Sequence, residues 1–369
     1  MKNNLRRQRF FVMLVVFLLL SHTTPGIANG INRKGSTCTE IGKTISVGKN
    51  SLICQKHNKK LIWRKLQLPI SKKPEVQDDS IKAAMQKIIE GLPEVSNKVN
   101  IDFFFIAEEG ENGPYQREIE SLLIPTASIM EQISGFNPYK RVYILIGRSQ
   151  DWLRKQRSSI CGNNSYFEVV AAVSSNCSLD SEAGIIEINL PGVVTEKYLQ
   201  ADSKVDLKNY SVSSFTLERI RNLLPHEYFH FWQSKLQIRS APSWFIEGSA
   251  QVFSLIVRAK VDQKNRRYSQ IFESWFTKED IKYSQDRCTS SISKVTFSME
   301  SQCQYIQGLI PVEILLSKYS GFETFKSLMD INSKKSFELA FEESTGTSLN
   351  SFYTLVDDYA FTLGWKSGR

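Results

Sequence analysis

Histidine is scarce in this chain, with four in 369 residues. No C-x-x-C pair occurs, which removes the usual signature of a cysteine-based zinc ribbon or finger. No uninterrupted apolar run reaches the ~20 residues of a membrane-spanning helix. The longest, FFVMLVVFLLL over Phe10–Leu20, stops well short. No dense Lys/Arg patch with interleaved aromatics argues for nucleic acid. There is no internal repeat and no low-complexity segment. A hydrophobic content of 41% and a charged content of 23% are those of an ordinary folded protein and exclude bulk disorder.

The first residues are unlike the rest. Lys2, Arg6, Arg7 and Arg9 precede the apolar run, and Pro25, Gly26 and Ala28 follow it. That order predicts a secretory signal peptide over residues 1–28, with cleavage after Ala28. An uncleaved membrane anchor is the alternative. The net charge is +9, and four of the basic residues lie in the signal segment, so a mild positive excess remains after cleavage. It could favour an anionic cell surface.

Cysteines number six: Cys38, Cys54, Cys161, Cys177, Cys288 and Cys303. An even number in an exported chain predicts disulfides. Consecutive pairing is preferred, because it closes three local loops of nearly equal length. Around the first pair, CTEIGKTISVGKNSLICQKHNKKLIWRK alternates short apolar runs with Gly, Asn and Lys turns. It predicts a small disulfide-linked β module over 29–66, which holds His57. This segment resembles a cysteine-pair segment near the start of many exported bacterial proteins. Residues 67–80, with two prolines and mixed charge, predict a linker.

The remainder, 81–369, reads as one domain. IKAAMQKIIEGL has helical apolar spacing, VNIDFFFIAEE and KRVYILIG are strand-like, and IESLLIPTASIMEQISGF lies between them as a helix. WLRKQ opens a further helix. CGNNSYFEVVAAVSSNC predicts a hairpin tied by the second disulfide, and GIIEINLPG a strand. From Ser211 onward the periodicity is helical. A mixed sheet followed by helices is an α+β fold.

Two of the four histidines fall in LPHEYFHFWQ, as His226 and His230 with Glu227 beside the first. On a helix, positions i and i+4 share a face. Two imidazoles so placed can bind one metal ion, and the adjacent carboxylate can serve as general base without being a ligand. A catalytic zinc takes three protein ligands, so a third is needed. PSWFIEGSAQVF supplies Glu247, flanked by Trp244, Phe245 and Ile246 and followed by Gly248, Ser249 and Ala250. A carboxylate in that apolar setting needs a partner, and a cation satisfies it. The small residues after it permit close helix packing.

HEYFH followed by WFIEGSA resembles the gluzincin zinc metallopeptidases, the group that includes thermolysin-like and aminopeptidase-like enzymes. The likeness runs from about Asn100 to Thr362 and implies a zincin-like domain. It also implies one zinc ion on His226, His230 and Glu247, with Glu227 as general base and proton shuttle. The expected function is an exported peptidase that hydrolyses peptide bonds with zinc-activated water. The alternative is an inactive zincin-fold protein acting as an extracytoplasmic binding or structural protein. Developing oxyanion charge requires a donor. No further histidine is suited, so the resemblance points to a tyrosine downstream of Glu247. Tyr305 is the first candidate, with Tyr268 and Tyr283 behind it. Gln251 stands where relatives carry an acidic residue that orients a metal histidine, and an amide raises ligand basicity less. Pro225, just before His226, requires either a fresh helix start or a kink. No G-x-M-x-N-like exopeptidase signature precedes the motif, which favours an endopeptidase acting on a peptide or protein.

Overall fold

Three short apolar–polar runs near the N-terminus pair as an antiparallel meander. In a computed structural model of the chain, residues 36–39, 44–47, 50–57, 60–65, 78–109, 114–162, 169, 171–190, 193, 214–238, 241–262, 267–276, 278–296 and 303–366 are described. The expected signal peptide over 1–28 lies outside them, as does most of the expected linker over 67–80. The chain divides into two compact units, Met1–Glu75 and Val76–Arg369.

The first unit is an antiparallel sheet in the order β1 (Thr44–Val47), β2 (Asn50–His57) and β3 (Lys60–Lys65). Cys54 faces Trp63 across β2 and β3. Leu52, Cys54 and Trp63 are buried together, with Cys38 and Leu61 against them. A core this small leaves little hydrophobic stabilisation. The Cys38–Cys54 disulfide supplements it, adding about 3 kcal/mol through the unfolded chain.

The second unit is α+β. Helix α1 (Asp78–Gly91) precedes strand β4 (Asp102–Ala107), helix α2 (Pro114–Ser134), strand β5 (Arg141–Gly147) and helix α3 (Gln150–Cys161). Strands β6 (Ala172–Asn176) and β7 (Ala183–Asn189) complete a mixed sheet of order β4-β5-β7-β6. β4, β5 and β7 are parallel, while β6 runs antiparallel to β7 at the edge. β7 is buried at every position, as an interior strand covered on both faces must be. Ile186 and Ile188 face the main core, whereas Ala183 and Ile185 turn to the opposite side with Leu145, Leu153 and Cys161. Glu187 shares that second side and meets Arg157 of α3 at 3.0 Å, both fully buried. Burial pushes the Glu187 carboxyl up, against the pull of Arg157.

The stretch expected to form a hairpin behaves differently. Cys161 closes α3, Cys177 follows β6, and the disulfide joins the helix end to the strand end. β6 pairs with β7 instead. The third disulfide joins Cys288 to Cys303, so all six cysteines pair consecutively.

Eight helices of the described residues follow the sheet: α4 (Ser214–Lys235), α5 (Ser243–Val261), α6 (Tyr268–Trp275), α7 (Lys278–Arg287), α8 (Cys303–Lys318), α9 (Phe322–Asn332), α10 (Phe337–Thr345) and α11 (Leu349–Thr362). Helix α4 runs through Pro225 without ending there. Helix α5 is apolar on nearly every side and is buried along its length, as a central helix should be. Its Trp244 and Phe245 are covered by Phe325, Phe337 and Phe352. Gly248 of α5 lies against Gly308 of α8, which lets the two backbones approach closely. Lys82 of α1 and Tyr268 of α6 both bind Glu313 of α8, at 2.6 and 2.7 Å. No helix among the described residues is long and apolar enough to cross a membrane.

Candidate metal centre

Helix α4 presents His226 and His230 one turn apart, and α5 packs beside it carrying Glu247. The structure brings these three side chains together. His226 Nε2 and His230 Nε2 are 3.1 Å apart. Glu247 Oε2 lies 3.3 Å from the first and 3.6 Å from the second. Three donors around a tetrahedral zinc, with bonds of ~2.0–2.1 Å, stand ~3.3–3.4 Å from one another. The observed triangle has that size, so the trio could hold a metal ion. Three ligands of a tetrahedral set leave one position open.

The electrostatics agree with a cation-binding cluster. His226 and Glu247 are buried. Burial alone would lift the Glu247 carboxyl, but hydrogen bonds and charge from the two histidines hold it far below the usual carboxylate range. Burial alone would depress the His230 imidazole. Glu247, the charge of Glu227 and the Gln233 amide outweigh that effect and raise it to about 9. Without a metal, the cluster therefore holds a proton in the place a cation would take.

Glu227 is buried directly beside His226 in the chain, and its charge reaches His230. Tyr305, in the first turn of α8, places its ring 6.1 Å from the His226 ring. It is partly exposed. The Cys288–Cys303 disulfide anchors the start of that helix two residues earlier. The other two tyrosines are elsewhere engaged. Tyr268 is fully buried on Glu313, and Tyr283 stacks with Arg287.

Gln251 was expected to support a histidine of the site. It is buried, but no hydrogen bond joins it to either histidine among the described residues. The residue that meets a metal-site histidine is Gln233, whose Oε1 lies 2.6 Å from His230 Nδ1. Its Nε2 donates to the Ile246 carbonyl and to Ser249 Oγ, each at 2.9 Å. Sequence reasoning missed Gln233 because its value depends on where the α5 backbone passes. The one available signal was its position three residues after His230, on the same helix face. His226 Nδ1, by contrast, is buried with no hydrogen-bond partner among the described residues.

A cavity of about 410 Å³ opens beside His230, lined also by Gln233, Ser234, Gln237, Ile238 and Ile246. None of these neighbours carries a charge. Ser234 also donates to Asn176 at the end of the edge strand β6, at 3.0 Å, so the cavity borders a sheet edge. No protein-family model matches the chain, and no curated protein matches it, so the chemistry of the site is carried by its own geometry.

Proposed function

We propose that the protein is an exported zinc-dependent peptidase of the gluzincin type, built on a zincin-like domain. The observation that carries this reading is the triangle of His226 Nε2, His230 Nε2 and Glu247 Oε2, with edges of 3.1, 3.3 and 3.6 Å. Zinc held there supplies a Lewis acid that polarises a carbonyl and acidifies water. Glu227, beside the ligands and not one of them, takes the proton of the attacking water and delivers it to the leaving amine. The Tyr305 hydroxyl donates to the oxygen on which negative charge develops. The cavity beside His230 receives an uncharged side chain of the substrate. Strand β6 is the edge of the described sheet beside this cavity, a position at which an extended peptide can add as a further strand, which favours a peptide or protein substrate. Three disulfides suit an oxidising, extracytoplasmic setting.

A second reading is favoured by one observation. His226 Nδ1 has no hydrogen-bond partner among the described residues, and ligands left unsupported by a second hydrogen bond bind metal more weakly. The protein would then be a zincin-fold binding or structural protein without turnover. Metal content of the purified protein, beside a His226→Ala/His230→Ala variant, tests the site itself. About one zinc per chain in the parent and none in the variant is the expected result. No zinc in the parent after incubation with zinc would remove both readings. Bound zinc with no cleavage across a broad peptide library would select the second.

A further inference from the structure

Gln233 spans the two helices that carry the ligands. It stands on α4, three residues after His230, and its buried amide reaches the backbone of α5 at Ile246, the residue before Glu247. We infer that Gln233 is a positioning residue that fixes His230 with its proton on Nδ1 and the lone pair of Nε2 turned toward His226 and Glu247. The inference deepens the zinc-site reading and rests on it.

The hydrogen-bond inventory leaves one arrangement. The Ile246 carbonyl can only accept, so the amide nitrogen of Gln233 must face it, at 2.9 Å. Ser249 Oγ donates its proton to the Phe245 carbonyl, so toward Gln233 it accepts, taking the second amide hydrogen at 2.9 Å. Both hydrogens are then committed. What remains to face His230 is the amide oxygen, which can only accept, 2.6 Å from Nδ1. His230 Nδ1 must therefore carry a hydrogen. In the neutral imidazole that would bind zinc, the single N–H is then the one on Nδ1, which leaves a lone pair on Nε2, the atom 3.1 Å from His226 Nε2 and 3.6 Å from Glu247 Oε2.

The same contacts require an amide at both ends. Glutamate would set a carboxylate oxygen against the Ile246 carbonyl. Lysine or arginine could not accept from His230. Asparagine is a methylene too short to span the helices. Gln233 is itself buried, which strengthens its bonds relative to bonds in water. The tie also fixes how far His230 stands from Glu247, since one side chain holds the histidine on α4 and the backbone beside the glutamate on α5.

Long-range proton–nitrogen NMR of the imidazoles tests this in the purified full chain with and without zinc. Only four histidines contribute, so the spectrum is sparse. In the zinc-loaded parent, His230 is expected to bind through Nε2 and show a slowly exchanging Nδ1–H. Gln233→Leu is expected to bind zinc roughly 10–100-fold more weakly, with that resonance lost to solvent exchange and the circular dichroism of the fold retained. His230 bound through Nδ1, or parent-like zinc affinity in Gln233→Leu, would overturn the inference and leave the zinc site standing. Should Gln233→Leu not fold, the tautomer in the parent decides the matter. A parent that takes up no zinc brings down the site and this role together.

Discussion

A methyl group added at Gly248 would sit 2.2 Å from the carbonyl oxygen of Gly308. Gly248 follows the candidate ligand Glu247, and Gly308 lies one turn after Tyr305, so this backbone contact sets the helix of Glu247 against the helix of the candidate oxyanion donor. The contact is asymmetric. A methyl at Gly308 would meet the Trp244 carbonyl oxygen at 3.2 Å, which is tight but open to a small adjustment. Gly248→Ala is expected to lose about 1–3 kcal/mol to overpacking, although alanine regains about 0.5–1 kcal/mol of helix stability. Gly308→Ala should stay within about 1 kcal/mol of the parent. Urea unfolding midpoints check the ranking, and equal midpoints would mean that this contact does not govern the α5–α8 spacing.

Glu227 and Tyr305 can be separated by what each variant keeps. Glu227→Gln preserves size and leaves the three ligands in place, so zinc content should stay at parent level. Turnover should fall about 10²–10⁴-fold, the usual contribution of a general base. Tyr305→Phe removes only a hydroxyl. Zinc and KM should hold while kcat falls about 10²–10³-fold, the loss seen when one oxyanion donor is deleted. Parent-like kcat in Glu227→Gln would end the proposed mechanism. In Tyr305→Phe, it would move the donor role to another group.

The candidate metal cluster could be read from the sequence because its geometry is local. The i, i+4 spacing of His226 and His230 is guaranteed by any helix, and Glu247 stands out as a lone carboxylate among apolar residues. Gly248 could be read as permitting close packing, though not that Gly308 is what it packs against. Gln233 was illegible because an amide is unremarkable until the Ile246 carbonyl and Ser249 hydroxyl are placed beside it. Helix α7 carries little signal of its own. KEDIKYSQDR has little apolar periodicity, and among its residues Ser284 is the buried one. Strand order was beyond reach as well. Apolar density marks β7 as interior, but nothing local says that β5 and β6 flank it.

Metal uptake should compete with protons. In the metal-free protein the His230 pKa is raised to about 9 by Glu247, Glu227 and Gln233 acting against burial. Glu247 is held low by the two histidines against its own burial. The raised histidine contributes stability that is complete below its unfolded pKa of about 6.5 and is lost as pH rises through about 9. The depressed glutamate contributes stability present above about 4.5 and lost as pH falls through its folded value. Zinc must displace the His230 proton, so its apparent affinity should rise up to about tenfold per pH unit below pH 9 and level off above it. Titrations in two buffers of different ionisation enthalpy should show about one proton released per zinc near pH 7. No proton release would mean that His230 is already neutral in the metal-free cluster.

The cavity beside His230 makes a prediction about substrate choice. Ile238 and Ile246 form its apolar walls, and Ser234, Gln233 and Gln237 supply uncharged polar groups. A charged substrate side chain entering it would lose water and meet no counter-charge on Gln233, Ser234, Gln237, Ile238 or Ile246. Peptides with an uncharged residue at the position that fills the cavity should therefore be cleaved preferentially. Ile246 offers a way to probe this, because Gln233 holds its backbone carbonyl rather than its side chain. Ile246→Lys should shift preference toward acidic residues, with kcat/KM for the best uncharged peptide falling about 10–100-fold, in line with the 1–3 kcal/mol such pocket contacts carry. Zinc content should not change, which separates an altered pocket from a damaged metal site. A cleavage profile identical to that of the parent would show that the substrate side chain lies elsewhere and that the peptide crosses the zinc from another direction.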